Sequence, residues 1–251
     1  MKGLPVPNIE SRRLSGQVAI VTGASGGIGR AISHALAREG ARIYAIGRNP
    51  ERLRKTVVEG GGGLDIVELA VDLTSEQQSE ELAQKVAAIE RVNILIHCAG
   101  VLHQAAMKEA PIEHLDAQYA INVRVPYLLT KRLLPVLEAS QGQSVFINST
   151  TGLNAKRPEI GQYAATKHAL RAVADSLREE VNSKGVRVTS VYLGRTAGPL
   201  QERLHREEGK RYESELLVQP EDVASVVLES LVLSRTAEIT DITVRPLRKA
   251  R

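Results

Sequence analysis

In the stretch GQYAATKHAL, Tyr163 precedes Lys167 by four residues, the spacing that puts two side chains on one face of a helix. A phenol is a poor proton shuttle at its ordinary pKa of about 10, and bringing it to neutrality takes about 4 kcal/mol of differential stabilisation. A lysine ammonium one turn away is a suitable perturber. Tyr163 is therefore a candidate acid/base, with Lys167 lowering its pKa. Two polar residues on a solvated helix face are the other reading, and the pair alone does not choose between them. Ser149 closes the apolar run SVFINS, which places its hydroxyl at the carboxyl edge of a strand, where it can donate to an oxygen that gains negative charge. Thr150 follows directly and is the alternative donor. Asn122 lies inside a helical stretch, where asparagine has poor propensity unless something uses its side chain, a neighbouring carbonyl included.

A second group of residues suits an anion. The run VAIVT leads into TGASGGIGRAI, with Gly23, Gly27 and Gly29 opening a helix. Missing side chains let the backbone turn tightly and approach a pyrophosphate, whose charge then meets the free amides at the helix start. About 20 residues on, where an acid would select a ribose 2′-hydroxyl, the chain has Gly47-Arg48. An arginine pairs with a 2′-phosphate through two charge-assisted hydrogen bonds, so NADP(H) is expected over NAD(H). The alternative is an Arg48 solvated beside Glu51. Asp72 follows a strand and suits either an adenine edge or a turn cap.

These residues are placed by an alternation of β-branched runs and helical periods. Strands are expected at Val18 to Thr22, Arg42 to Ile46, Ile66 to Val71, Ile94 to His97, Ser144 to Ser149, Arg187 to Tyr192 and Ile242 to Arg245. Between them lie helical segments, one of them long and continuous around Asn122, and several end in glycine. The pattern predicts an α/β fold with a parallel sheet covered by helices on both faces. One domain over 16–251 is expected, preceded by an arm at 1–15. Gly60 to Gly63 reads as a loop rather than a boundary.

The 251 residues carry a net charge of +4, but the cations are scattered, and six tyrosines, one phenylalanine and no tryptophan give few stacking platforms, so no nucleic-acid partner is expected. The basic tail RPLRKAR reads as a solvated terminus. The single cysteine, Cys98, leaves neither a disulfide nor a cysteine cluster for a metal and suits a cytoplasmic location. No apolar run approaches the ~20 residues of a membrane span.

From Gly16 to about Arg245 the chain resembles the short-chain dehydrogenase/reductase family. The resemblance rests on the Gly-x-x-x-Gly-x-Gly spacing, VDL after the third strand, AG after the fourth, Asn122, Ser149 and the Tyr163/Lys167 pair, all in that family's order. It implies a Rossmann-type, doubly wound, seven-stranded parallel sheet in the order 3-2-1-4-5-6-7. It further implies nicotinamide-dependent, pro-S hydride transfer between a small carbonyl compound and an alcohol. In similar enzymes the cofactor lies against Gly23, Ser25, Gly27, Ile28 and Gly29, with help from Arg30, and against Asp72, Leu73, Cys98, Ala99, Gly100, Gly194 and Thr196. Tyr163 and Lys167 touch it as well, the lysine through the ribose hydroxyls. The matching asparagine bends its helix and holds a water that links the lysine to solvent. A homodimer or homotetramer is implied, paired through the long helices flanking the fifth strand. A non-catalytic NADP(H) sensor on the same fold is the alternative.

Two departures from the family stand out: HCAG replaces its usual Asn-Asn-Ala-Gly, and Leu193-Gly194 its usual Pro-Gly. His97 and Cys98 are read as packing residues. The segment 197–219, mixing Pro199, Leu200 and Leu204 with many charges, is expected to cover the substrate as a mobile, solvated lid, with Leu153, Asn154 and Tyr192 as pocket walls.

Overall fold

The structure, a computed structural model, describes residues 12–87 and 91–248. Seven strands, β1 (Val18–Thr22), β2 (Arg42–Gly47), β3 (Ile66–Ala70), β4 (Ile94–His97), β5 (Gln143–Ser149), β6 (Arg187–Leu193) and β7 (Asp241–Val244), form one sheet in the order β3-β2-β1-β4-β5-β6-β7. Every pairing is parallel. The helices are α1 (Gly27–Arg38), α2 (Pro50–Glu59), α3 (Glu76–Ala87), α4 (Ile112–Tyr119), α5 (Val125–Ala139), α6 (Gly161–Val181), α7 (Pro199–Glu207) and α8 (Pro220–Val232).

Strand side chains alternate between two cores, as a two-faced sheet requires. Ala19 and Val21 of β1, with Val145 and Ile147 of β5, pack with Ile32 and Leu36 of α1 and Val223 and Val227 of α8. Ile20 faces the other way, into Leu82 of α3 and Leu129 and Leu133 of α5, and Phe146 meets Leu170 and Ala174 of α6. This doubly wound arrangement brings the carboxyl ends of β1, β4 and β5 to one edge, where glycine loop and Ser149 lie together.

Three expectations need correction. The long helix around Asn122 is two helices, α4 and α5, joined by a π-helical turn at Ala120–Arg124. The Asn122 side chain reaches outside the helix, and the wider turn accommodates it. The chain before residue 16 is not wholly an arm: Leu14 is buried in the core, and Arg13 pairs with Glu39 and Glu229. Residues 1–11 of the expected arm, and 249–251 of the basic tail, lie outside the described residues. Tyr192 is fully buried on β6, not a pocket wall, because its position in the alternation turns it into the sheet's helix-covered face.

Candidate active site

The glycine loop leaves β1 at Gly23, whose φ of +68° is a left-handed conformation, and an added Cβ would stand 2.8 Å from the Ala99 backbone. A Cβ on Gly29 would meet the Gly23 carbonyl oxygen at 2.3 Å. These two glycines are required by the protein's own packing. Gly27 is different: its Cβ would meet nothing nearer than Pro220 at 3.5 Å, so the protein's own packing does not require a glycine there. The N-terminus of α1 has no side-chain cap, and its free amides beside the glycine loop suit a pyrophosphate. Ile28 lies half-buried in this first turn.

The Thr22 hydroxyl ties that loop to β1, accepting from the amides of Cys98 (3.0 Å) and Ala99 (3.2 Å) and donating to the Ile96 carbonyl (3.2 Å). His97 is a packing residue: it stacks on Phe146, its Nε2 meets the Thr130 hydroxyl at 2.8 Å, and burial pushes its pKa down to about 3. Burial likewise pushes the Cys98 thiol up to about 12, which keeps it protonated and inert.

At the end of β2 the Ser25 hydroxyl packs against Gly47, 2.8 Å from where a Cβ would be. Arg48 follows, exposed, with no carboxylate in salt-bridge range among the described residues. Arg30 is not available to help it, because its guanidinium pairs with Glu59. Asp72 caps a turn: one carboxylate oxygen accepts from both the hydroxyl (2.7 Å) and the amide (3.0 Å) of Thr74. Those bonds, with a smaller contribution from Arg48, hold its carboxyl below the usual range. Leu73 is half-buried beside it against the α3–α5 core.

Ser149, Tyr163, Lys167 and Asn122 come together where β5, α6 and the π turn meet. The Ser149 hydroxyl accepts from the Thr151 amide (3.2 Å) and hydroxyl (2.9 Å). Lys167 is buried and donates to the Ile147 carbonyl at 3.1 Å, and burial lowers its pKa to about 8. Its ammonium lies 5.8 Å from the centroid of the half-buried Tyr163 ring. The expected lowering of Tyr163 by Lys167 is not found. Burial pushes the phenol up to about 12, and a hydrogen bond with the Ser149 hydroxyl opposes this only in part, while Lys167 directs a donor to the Ile147 carbonyl. Asn122 accepts from the Val101 amide (2.9 Å) and donates to the Val101 carbonyl (2.9 Å) and the Thr166 hydroxyl (3.0 Å), so its side chain is fully occupied. Gly100 beside it would bring a Cβ to 3.4 Å from Asn122 Oδ1 and 4.0 Å from Lys167 Nζ.

Sequence reasoning missed the residues that hold these in place. Asn148 donates to the Lys167 carbonyl (3.2 Å) and accepts from the Ser149 amide (2.8 Å), joining β5 to α6. Thr166 donates to the Tyr163 carbonyl (2.8 Å). An asparagine inside a buried apolar strand was the available signal for Asn148. Gly194 lets the C-terminal segment approach, with Pro246 2.9 Å from an added Cβ, and buried Thr196 donates to the Gly194 carbonyl (3.2 Å). Leu153 and Asn154 follow the turn after Ser149. The segment expected to cover the substrate contains a helix, α7, with Leu204 buried, and is strapped through Glu208, whose carboxylate meets Arg195 (2.6 Å), Arg157 (2.9 Å) and Lys210 (2.9 Å).

The family model of the short chain dehydrogenases matches residues 17–209. The chain belongs to the short-chain dehydrogenase family. An uncharacterized oxidoreductase of Staphylococcus aureus (strain USA300) is 30% identical over 238 residues, covering 93% of this chain and 99% of that protein. A crystal structure of a metagenomic short-chain oxidoreductase in complex with NADP is 31% identical, with a TM-score of 0.81, covering 94% of this chain and 100% of that one. The structure of a putative NAD(P)-dependent gluconate 5-dehydrogenase from Beutenbergia cavernae with bound NADP is 26% identical, at a TM-score of 0.80 over 92% of this chain and 95% of that one. This short-chain dehydrogenase is thus an oxidoreductase by family, on a Rossmann-type fold. No helix among its described residues is long and apolar enough to cross a membrane.

Proposed function

We propose that the protein interconverts a carbonyl compound and an alcohol with NADP(H), using Tyr163 as the acid/base. The observation that carries this reading is the grouping of Ser149, Tyr163 and Lys167 at the sheet edge beside a glycine loop that opens a helix with no side-chain cap. Bound nicotinamide supplies or removes the hydride at carbon. The chain's residues handle the oxygen. Ser149 has its acceptor sites taken by Thr151, which leaves its proton for the Tyr163 oxygen and, with substrate bound, for the substrate oxygen. Tyr163, protonated at neutral pH in this environment, donates to that oxygen as alkoxide character develops. In the reverse reaction the phenolate takes the alcohol proton, and a positive charge near the phenol, such as oxidised nicotinamide, favours that form. Lys167, held by the Ile147 carbonyl, presents its remaining donors to the nicotinamide ribose.

NADP(H) is the expected cofactor because Arg48 stands exposed at the end of β2, next to the Ser25 hydroxyl, where an acid would repel a 2′-phosphate. Titration with NADPH and NADH, read by nicotinamide fluorescence, tests this. NADPH should bind at least about tenfold tighter, and Arg48→Glu should erase the difference. Equal affinities in the wild-type protein would remove Arg48 from the role, and a screen of carbonyls with no turnover sensitive to Tyr163→Phe would remove the chemistry. For assembly, Ile112, Tyr119 and Tyr127 are exposed along α4 and α5, and α6 carries exposed Ala165 and Ala172. We assign these helices to a homo-oligomer contact, and Tyr127→Lys should lower the mass seen by light scattering.

A further inference from the structure

Beside the catalytic group lies a basic cluster that the chemistry above does not use. His103, in the loop after β4, stacks on His114 of α4 with ring centroids 4.3 Å apart and planes 16° from parallel. The cluster is fixed to the active site. The His103 amide donates to Gln118 at 3.0 Å, and the buried Gln118 reaches Gln162, the residue before Tyr163, at 3.5 Å. Arg203 crosses from α7 to donate to the Leu102 carbonyl at 2.6 Å, which holds its guanidinium beside His103. Burial, then His114, then Arg203 keep His103 below its ordinary pKa, with Glu207 acting the other way.

The cluster has one carboxylate in ion-pair range, but none of its rings or its guanidinium is hydrogen-bonded to a carboxylate among the described residues. Glu207 is 3.6 Å from Arg203 Nε, too far for a hydrogen bond. That Nε has only this distant ion pair and no hydrogen bond, and His114 Nδ1 is likewise buried without a hydrogen-bond partner among the described residues. Buried polar atoms left open in this way carry a cost that a ligand can relieve. Two stacked imidazoles and a guanidinium repel one another when charged, and an oxyanion among them turns that repulsion into charge-assisted bonds.

We propose that this cluster receives a carboxylate at the far end of the substrate, so that the compound turned over at Tyr163 is an oxo acid or its hydroxy acid. The substrate class rests on the carbonyl–alcohol reading above, whereas the anion site can be tested without turnover. In the test, protein with NADP⁺ is titrated with straight-chain methyl-ketone acids of increasing length and with their primary amides. The imidazole NMR signals are followed, assigned through His103→Gln and His114→Gln. At one or more chain lengths the acid should bind at least about tenfold tighter than its amide and move both imidazoles toward their protonated shifts. Arg203→Met should bring acid and amide to within about threefold, and Arg203→Lys should keep part of the preference. Equal affinity for acids and amides along the whole series overturns the proposal, as does a preference unchanged in a folded Arg203→Met protein. Turnover of the same series reports separately: selective binding with no turnover keeps the anion site and removes the carbonyl chemistry, while equal turnover of acids and amides with equal binding does the reverse.

Discussion

Thr151 gives both its amide and its hydroxyl to the Ser149 oxygen, at 3.2 and 2.9 Å. With its acceptor positions filled, Ser149 has one thing left to offer, its proton, and that proton must point away from Thr151. Ser149→Ala should therefore lower kcat/KM by about 10²- to 10³-fold. Thr150→Val should cost less than about threefold, because Thr150 has no such orienting partner. Steady-state kinetics on any carbonyl the enzyme accepts decides between them, and a larger loss for Thr150→Val would transfer the role to that residue.

Two of the loop glycines should fail in different ways. Gly23→Ala combines a left-handed φ of +68° with overlap on the Ala99 backbone, so the folded state itself should lose about 2 kcal/mol or more. Gly27→Ala meets only ordinary contacts, so it should keep its melting temperature while NADPH affinity falls at least about tenfold. Calorimetry alongside cofactor titration separates the two. A Gly27→Ala protein with unchanged affinity would show that the cofactor does not pack against Gly27.

Glu208 makes a pH-dependent strap. Its burial raises the carboxyl pKa, but Arg195, Lys210 and Arg157 overcome this and bring it from 4.5 to about 2. The native value lies below the unfolded one, so the contribution is complete above about pH 4.5 and is lost as pH falls toward 2. With the carboxylate side chain only 10% exposed, the shift corresponds to ~3 kcal/mol. Glu208→Gln should be less stable than wild type by up to this amount at pH 7, with the gap closing near pH 2 to 3 in urea melts. A gap that does not change with pH would assign the loss to packing.

Tyr163 should be silent in an ordinary alkaline titration. Its phenol is pushed up to about 12, so the wild-type minus Tyr163→Phe difference at the phenolate absorbance should appear about two pH units above the ordinary tyrosine value. Added NADP⁺ should draw it down, since the nicotinamide's positive charge favours the phenolate. An ionisation near neutrality without cofactor would mean that Lys167 acts on the phenol directly.

Much of this molecule was legible in its residues because periodicity and glycine placement are local signals. The seven strands, their order and the Gly23/Gly29 turn needed nothing beyond the chain itself and a family resemblance. What escaped depends on distance through space. The pairing of Arg30 with Glu59 and the diversion of Lys167 to the Ile147 carbonyl each join residues about 20 or more positions apart, with no trace in spacing. Charge density in 197–219 did not show that Glu208 meets Arg157 and Arg195, which lie outside that segment. Asn122 stood out as misplaced in a helix, but its partner at Val101 was invisible.

That last pairing has a further meaning. By meeting both the amide and the carbonyl of Val101, the Asn122 side chain behaves as a spare peptide unit, a one-rung ladder attached to the flank of a helix. The loop carrying Gly100 is thereby paired with a helix as if with another strand. Such a rung accepts no isostere: aspartate lacks the donor, leucine lacks both groups, and glutamine is longer by a methylene. The π turn and the loop that faces Lys167 thus stand or fall on a single amide, and an alteration there would be felt on both sides of the cleft at once.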